Sequence, residues 1–472
     1  MSKEYPIRYI ARVILEAATP LSVGTGSSSL ESDKEIIRDI NGLPMIPGTG
    51  LTGVLRELAD SISLPTDDLF GYQKKNTDEG FGSRLIISDA LMIGEDGDVH
   101  DGLASINWKS PFYSRFKALP LRDHCRIDHY GKADSKGRGK FDELVVYRGA
   151  RFVFDLELIG KDADSDNWEK LLSLISSPLF RAGGGARKGF GGFSTISIHK
   201  SQFNLAIEDE LNKYINRSSE LTVQLNSDEK SSQGNDICTS FELNLTPDDF
   251  FMFGAGFGDT DADDVYKTEE YITWDVHENV PRFAQKTVLI PASSVKGALS
   301  HRVAFHYNQI KGNYAQQHEL LADLVGEKNE AVKALFGSAK DDTDRVGEGQ
   351  RGIVIIDDVF LDVTEQPETS TGVSNNNSHV EKVFNHVSID RFTGGSIDSA
   401  LFSQKVVSAG KNSVKIKMVV PRKEYELLDE DVKISFVRSL KDITTGLLPL
   451  GGSVMKGHGC FSGNLTCDGE VL

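Results

Sequence analysis

The segment LSVGTGSSSLESDKEIIRDINGLPMIPGTGLTGVLR, residues 21–56, sets the organisation of the 472-residue chain. It opens on a glycine turn, passes through a polar loop and closes at a proline–glycine hinge. Pro47 fixes φ and ends a strand, while Gly48 and Gly50 allow a sharp turn. Thr49 and Thr52 are N-cap types, and LTGVLRELADSI then spaces its apolar residues as a helix does. These features predict a helix whose first N–H groups are open to a phosphate. The loop from Gly26 to Asp39 is rich in Ser, Asp and Glu and lacks apolar periodicity, so it is expected to be solvated. GTGLTG at 48–53 also fits the dinucleotide pattern G-x-G-x-x-G. A second copy of the segment reads ASSVKG at 292–297 and keeps only the last glycine. A pyrophosphate needs the middle glycine for close approach, which excludes a nicotinamide or flavin site.

That second copy is one of six matches in the same order. Gly24 and Gly26 pair with Gly254 and Gly256, Ile46-Pro47 with Ile290-Pro291, and Phe70-Gly71 with Phe336-Gly337. Asp89 pairs with Asp358, and Ile127-Asp128 with Ile389-Asp390. GGGARKGFGGF at 183–193 pairs with GGSVMKGHGCF at 451–461, including Lys188 with Lys456. Any single match is weak, but six in one order make a tandem repeat. Within the first copy, IRYIARVILEA, RLIISDALM, RFVFDLELI and FGGFSTISI read as strands. With helices after Pro47 and at DNWEKLLSLISS, the order is β-α-β-β-α-β. The second copy repeats it through FELNL, the helix after Pro291, GIVIIDDVFL, VKIKMVV, VKISFVRSL and FSGNL. The expected class is α+β: two ferredoxin-like domains of the kind used by RRM-type RNA binders, at 1–200 and 238–472. Residues 201–237, polar and Ser-rich, read as a linker with a helix near IEDELNKYI.

Composition narrows the partners. With 39% hydrophobic and 26% charged residues the chain reads as an ordinary soluble protein. It has no run of 18 apolar residues and no signal-peptide pattern at MSKEYPIRYI, so no membrane partner and a cytoplasmic location are expected. Cys125, Cys238, Cys460 and Cys467 form no C-x-x-C pair and are expected to be free thiols. The net charge of −18 argues against a general polyanion binder, so any nucleic-acid contact must be local. No Walker A, HExxH or Ser-His-Asp signature suggests another chemistry.

The set LSVGTG, the acidic loop, PGTGLTGVLR, SRLIISDA, RIDHYGKA and RAGGGARKGFGG resembles the RAMP superfamily. Within it the chain is most similar to a fused double backbone (Cas seven-type) subunit of type III CRISPR effector complexes, as in a subtype III-D variant. The resemblance implies that each repeat grips guide RNA, that a thumb hairpin flips a nucleotide of the guide–target duplex, and that a loop Asp cuts target RNA. The implied partners are guide (CRISPR) RNA, single-stranded target RNA and other type III subunits in a prokaryotic cytoplasm.

On this match Asp33 is the catalytic residue of the first repeat. In the second, the loop offers Asp259, Asp261, Asp263 and Asp264, and counting seven residues past the turn glycine lands on Asp263. Asp263 and Asp264 are therefore the candidates there, although the greater length of this loop leaves the register open. A carboxylate suits RNA cleavage by the adjacent 2′-OH, as a base or as the holder of a divalent Mg2+ or Mn2+ ion. Loop acids are most often only solvated. Arg187, Lys188, Lys456 and His458 lie among glycines where backbone N–H groups and cations can hold phosphates together. Thr49, Arg56 and Lys296 near the helix starts, Arg126 in the RID motif and Arg391 directly after the SID motif complete the expected RNA contacts. His124, His129 and His386 flank those motifs and suit either thumb contacts or hydrogen-bonded surface histidines. The runs GKADSKGRGKFDE and TGGSIDSALFSQK are the expected thumbs. Two other readings stay open: a non-catalytic guide scaffold, and a guide-precursor processing endoribonuclease acting through a His or Tyr.

Overall fold

The computed structural model describes residues 4–28, 34–74, 77–125, 127, 132, 139–221, 228–229, 237–275, 280–284, 286–317, 321, 324–338, 349–361, 363–364, 379–408 and 413–472. In the first half, β1 (Ile7–Ala17) alternates large apolar side chains and becomes the centre of a sheet. Helix α1 (Gly48–Ser61) follows, buries Leu51, Leu55 and Leu58, and returns the chain to β2 (Leu85–Ile87) and β3 (Ala90–Met92). A short hairpin, β4 (Leu121–Cys125) with β5 (Lys140–Leu144), precedes β6 (Arg151–Gly160). Helix α2 (Ser165–Ile175) and β7 (Phe193–Asn204) close the set. β1 lies antiparallel between β7 and β6, and β6 carries β2 and β3 on its other side. Numbered along the β-α-β-β-α-β order, the strands therefore sit as 4-1-3-2.

The second half has the same order. β8 (Cys238–Pro247) is central, α4 (Ala292–Lys311) follows Pro291, and β9 (Ile355–Ile356) is the second strand. A long hairpin of β10 (His379–Ile389) and β11 (Ser396–Ser408) leads to β12 (Val414–Pro421), α5 (Glu430–Thr444) and β13 (Phe461–Cys467). β8 pairs antiparallel with β12 and β13, and β12 pairs with β9, giving 2-3-1-4 read from the other edge. Each half has its own apolar core, one built on Leu15, Phe152, Phe154 and Leu172, the other on Phe241, Leu243, Phe436 and Phe461. The helix expected inside the linker is α3 (Glu208–Ile215). It packs back on the first sheet, Tyr214 against Phe203 and its hydroxyl on Glu157, rather than spanning the halves.

One aspartate per repeat ties strand to helix. The first sheet's edge breaks at Ser88-Asp89, and the Asp89 carboxylate accepts the Gly48 N–H at 2.7 Å. Asp358 does the same for the Ala292 N–H at 2.8 Å. The helix starts are thus capped by these acids, which corrects the expectation of open N–H groups: a carboxylate of the protein already holds the first amide. Gly48 serves packing, since a Cβ there would meet the Ser88 carbonyl oxygen at 2.8 Å.

The halves meet closely. Residues 268–275 and 280–283 of the second lie on the first, where Phe283 joins Phe112, Phe116 and Tyr147. Ile272, Ile355 and Val419 enter the first core. Trp274 donates to the Gly149 carbonyl at 2.7 Å, with the Arg151 guanidinium 4.1 Å from its ring centre. Gly149 has φ +84°, and a Cβ would strike the Ile272 carbonyl oxygen. Gly149→Ala is expected to cost about 1–3 kcal/mol, seen as a lowered urea midpoint.

Candidate functional site

The two polar loops have the same backbone register. Gly24 bridges Ile36, and Gly254 bridges Tyr266. The Thr25 N–H donates to the Glu35 carbonyl, as that of Ala255 does to Val265, while Ile37 donates to Val23 as Lys267 does to Phe253. All these pairs differ by one constant offset, so Asp263 matches Asp33 and Asp264 matches Lys34. The extra length of the second loop falls after Tyr266, which resolves the register that sequence left open. Asp33 itself lies outside the described residues, as does Arg126.

The glycine-rich loops match as closely. Gly184 donates to the Ser22 carbonyl at 2.7 Å and Gly191 to Pro20 at 2.9 Å. Gly452 donates to Met252 and Gly459 to Phe250, each at 2.7 Å. Each loop makes one tight turn closed by its lysine amide, Lys188 to Gly185 and Lys456 to Ser453. The turn needs a left-handed residue, supplied by Gly185 (φ +74°) and, with more strain, by Ser453 (φ +56°).

Above each loop stands the hairpin. Cross-strand register puts His124 opposite Phe141 and His386 opposite Phe402. The rings stack, with centroids 4.9 and 4.8 Å apart. On each phenylalanine rests the ammonium of the glycine-loop lysine, Lys188 at 4.4 Å from Phe141 and Lys456 at 4.6 Å from Phe402. A histidine and a phenylalanine from the two strands of one hairpin and a lysine from a distant loop thus recur as one unit in both halves.

The surroundings differ. In the first half the buried carboxylate of Glu143 takes Lys34 at 3.0 Å, Lys188 at 2.9 Å and stands 3.0 Å from His124 Nε2. These cations hold its carboxyl well below the usual range although burial opposes them. In the second half the position of Glu143 is taken by Gln404, whose amide donates to Asp264 at 3.1 Å and to Ser453 at 3.0 Å. Asp263 is exposed, and one carboxylate oxygen accepts both the Ser403 N–H at 2.7 Å and its hydroxyl at 2.9 Å, which lowers its pKa. Lys405 holds Asp259 at 2.8 Å and Asp261 at 3.2 Å.

A junction of charge links the halves. The first glycine loop lies on the start of α4, where a Cβ at Gly189 would meet Ala292 and Asp358. Arg187 donates to the Gly352 carbonyl, and burial together with Arg187 and Lys188 pulls down the Lys296 ammonium. Below them Arg122 of β4 is buried against Glu269 and, at 2.6 Å, Asp358.

The RAMP superfamily profile matches residues 14–194 and 276–462, one stretch in each repeat. The chain belongs to the RAMP superfamily. No curated protein matches it. No helix among its described residues is long and apolar enough to cross a membrane.

The RAMP repeats gather only some of the expected residues. Lys188, with Arg187 and Lys296, forms one group at the junction, while Lys456, His458, Asp263 and Asp264 surround the second hairpin. Arg56 is elsewhere, paired with Asp67 at 2.9 Å beside an open cleft of about 430 Å³. Thr49 is exposed at the start of α1, and Arg391 sits in the exposed turn at the tip of the second hairpin. Phe141, Phe402, Glu143, Gln404 and Lys34 were missed. A His four residues before each Ile-Asp motif's Asp was the available signal, but its partners depend on hairpin register. In the second repeat the described loop acids do not form a metal site: among the described residues no three His, Cys, Asp or Glu side chains converge, and Lys405, Ser403 and Gln404 engage Asp259, Asp261, Asp263 and Asp264.

Proposed function

We propose that the chain is a double backbone subunit of a type III CRISPR ribonucleoprotein, each repeat a ferredoxin-like palm that holds guide RNA. In this reading it cleaves complementary target RNA beside the loop aspartates, Asp33 in the first repeat and Asp263 in the second. The observation that supports it is the shared register of the described loop residues, from which Asp263 and Asp33 match by count along the sequence. Each such loop also lies against the same stacked His-Phe-Lys unit, with a flat aromatic face and a cation of the kind that receive a base and its phosphate.

The chemistry needs little from the protein beyond alignment. The 2′-oxygen attacks the adjacent phosphorus, the P–O5′ bond breaks, and the products are a 2′,3′-cyclic phosphate and a 5′-OH. The aspartate accepts the 2′-OH proton, solvent supplies the proton taken by the 5′-oxygen, and Lys188 or Lys456 offsets charge on the phosphoryl oxygens. Among the described residues no set of donors is gathered for the expected Mg2+ or Mn2+, and no step is routed through it.

The deciding experiment assembles the complex with guide RNA and maps cuts on end-labelled target for Asp33→Ala, Asp263→Ala and the pair. A non-catalytic scaffold predicts unchanged cuts. That alternative has one observation in its favour, for the second repeat alone: Ser403 already occupies an oxygen of Asp263. The precursor-processing alternative draws no comparable support, since His124 and His386 are stacked on phenylalanines.

Binding should also depend on pH. His458 is held below the usual histidine range by burial, then by Lys456 and His386, with Asp249 opposing. It is therefore neutral at neutral pH, and protonation adds a cation beside the second loop. Single-stranded RNA is expected to bind about 3- to 10-fold tighter as pH falls from about 7 to about 5, by fluorescence anisotropy. His458→Gln is expected to flatten that rise.

A further inference from the structure

The repeats share a backbone but not a charge balance, and one hairpin position makes the difference. In the first repeat Glu143 is wholly buried among three segments: the polar loop through Lys34, the glycine-rich loop through Lys188, and its own hairpin through His124. Its two carboxylate oxygens divide the two ammonium groups, Lys34 on one and Lys188 on the other. That is the arrangement a bridging phosphate would adopt between the same loops. Both lysines keep a route outward, with side chains 46% and 28% exposed. The second repeat places Gln404 at the same point of the hairpin. A neutral amide draws no cation, and among the described residues Lys456 has no carboxylate within ion-pair distance and rests on the face of Phe402.

From this we infer that Glu143 is a built-in competitor for the RNA backbone: it occupies the first repeat's phosphate-binding lysines in the free protein, so that the second repeat binds RNA first and more tightly. This rests on the reading that the repeats hold RNA. The ligand class is a phosphodiester. To engage it, Lys34 and Lys188 must exchange a buried carboxylate for an incoming phosphate, whereas Lys456 exchanges only solvent. The two lobes of one chain therefore load in order.

The test uses the full chain and fluorescein-labelled oligouridine across a salt series. Glu143→Gln, which gives the first repeat the second repeat's amide, is expected to tighten binding about 5- to 10-fold at low salt. It should steepen the log–log salt slope by about 1.4, from two cations at about 0.7 each for single strands. Gln404→Glu is expected to weaken binding and to flatten the slope by about 0.7. Unchanged or weaker binding by folded Glu143→Gln, with the wild type binding normally, overturns this inference and leaves the RNA-binding reading standing. Absence of binding by every folded variant, wild type included, overturns both. Should Glu143→Gln fail to fold, Gln404→Glu decides, and an affinity equal to wild type counts against the competitor role.

Discussion

Arg122→Met is expected to destabilise the chain by about 3–5 kcal/mol, the largest stability loss of any single substitution argued from this fold. Arg122 belongs to the first repeat, and both of its carboxylate partners, Glu269 and Asp358, belong to the second; all three side chains are at most 6% exposed. Methionine keeps much of the volume but leaves two buried acids without their cation. Burial raises both carboxyl pKa values, and Arg122 is the main force pulling them down. Without it they rise further. A folded-state pKa above the unfolded value means that the native state binds the extra proton, so stability is lost as pH rises through that window. The deficit should therefore be greatest at neutral pH and shrink toward about pH 5, as the orphaned acids take up protons. Urea unfolding at the two pH values measures this, and a deficit independent of pH contradicts it. Asp358 also caps α4, so the first transition lost should include the junction between repeats.

How far the sequence could reveal this varied with the range of the interaction. The six ordered matches survive because each is local: a turn glycine, a proline before a helix, an aspartate two or three residues from a strand. Those signals were enough for two repeats with helices after Pro47 and Pro291. The partners of the same residues were less accessible. Asp89 and Asp358 match by position, but nothing local says that they face the helix starts rather than solvent. The phosphate expected at Gly48 was in effect replaced by an anion 41 residues away in sequence.

The site shows the same limit. Lys188 and Lys456 stand in recognisable glycine loops, yet the phenylalanines beneath them come from the return strand of a hairpin whose length differs between repeats. Sequence spacing carries no information across a variable loop, whereas cross-strand register does. Glu143 was unremarkable in a run of polar residues, KFDEL, because its burial is produced by three segments arriving from elsewhere. The acidic loop was ambiguous for the opposite reason. Asp259, Asp261, Asp263 and Asp264 are too close together for counting to separate them, and only the Gly254–Tyr266 bridge fixes which one matches Asp33.

The paired substitution Asp33→Ala with Asp263→Ala is expected to abolish target cleavage by the assembled complex while guide RNA stays bound. Loss of a positioned base accounts for about 10²–10⁴-fold in rate. Because each repeat has its own sheet and apolar core, each single variant should remove its own cut and leave the other at wild-type rate. The Asp263-dependent cut should also be slowed by the hydrogen bonds on its acid. Ser403 donates two hydrogen bonds to one oxygen of Asp263 and lowers its pKa, which makes it a weaker base than a free loop acid. Ser403→Ala removes the hydroxyl bond while keeping the backbone one, and should speed the Asp263-dependent cut without moving it. Single-turnover rates on a target labelled at both ends read the two positions separately. A pattern in which Asp263→Ala leaves both cuts intact while Asp33→Ala removes one would assign the second repeat to guide binding alone, its acid serving to lash the loop to the hairpin. The lysine contacts separate holding from cutting in the same assay. Lys456→Ala should weaken RNA retention by the second repeat, whereas Asp263→Ala, which removes a negative charge beside the same hairpin, should not weaken it.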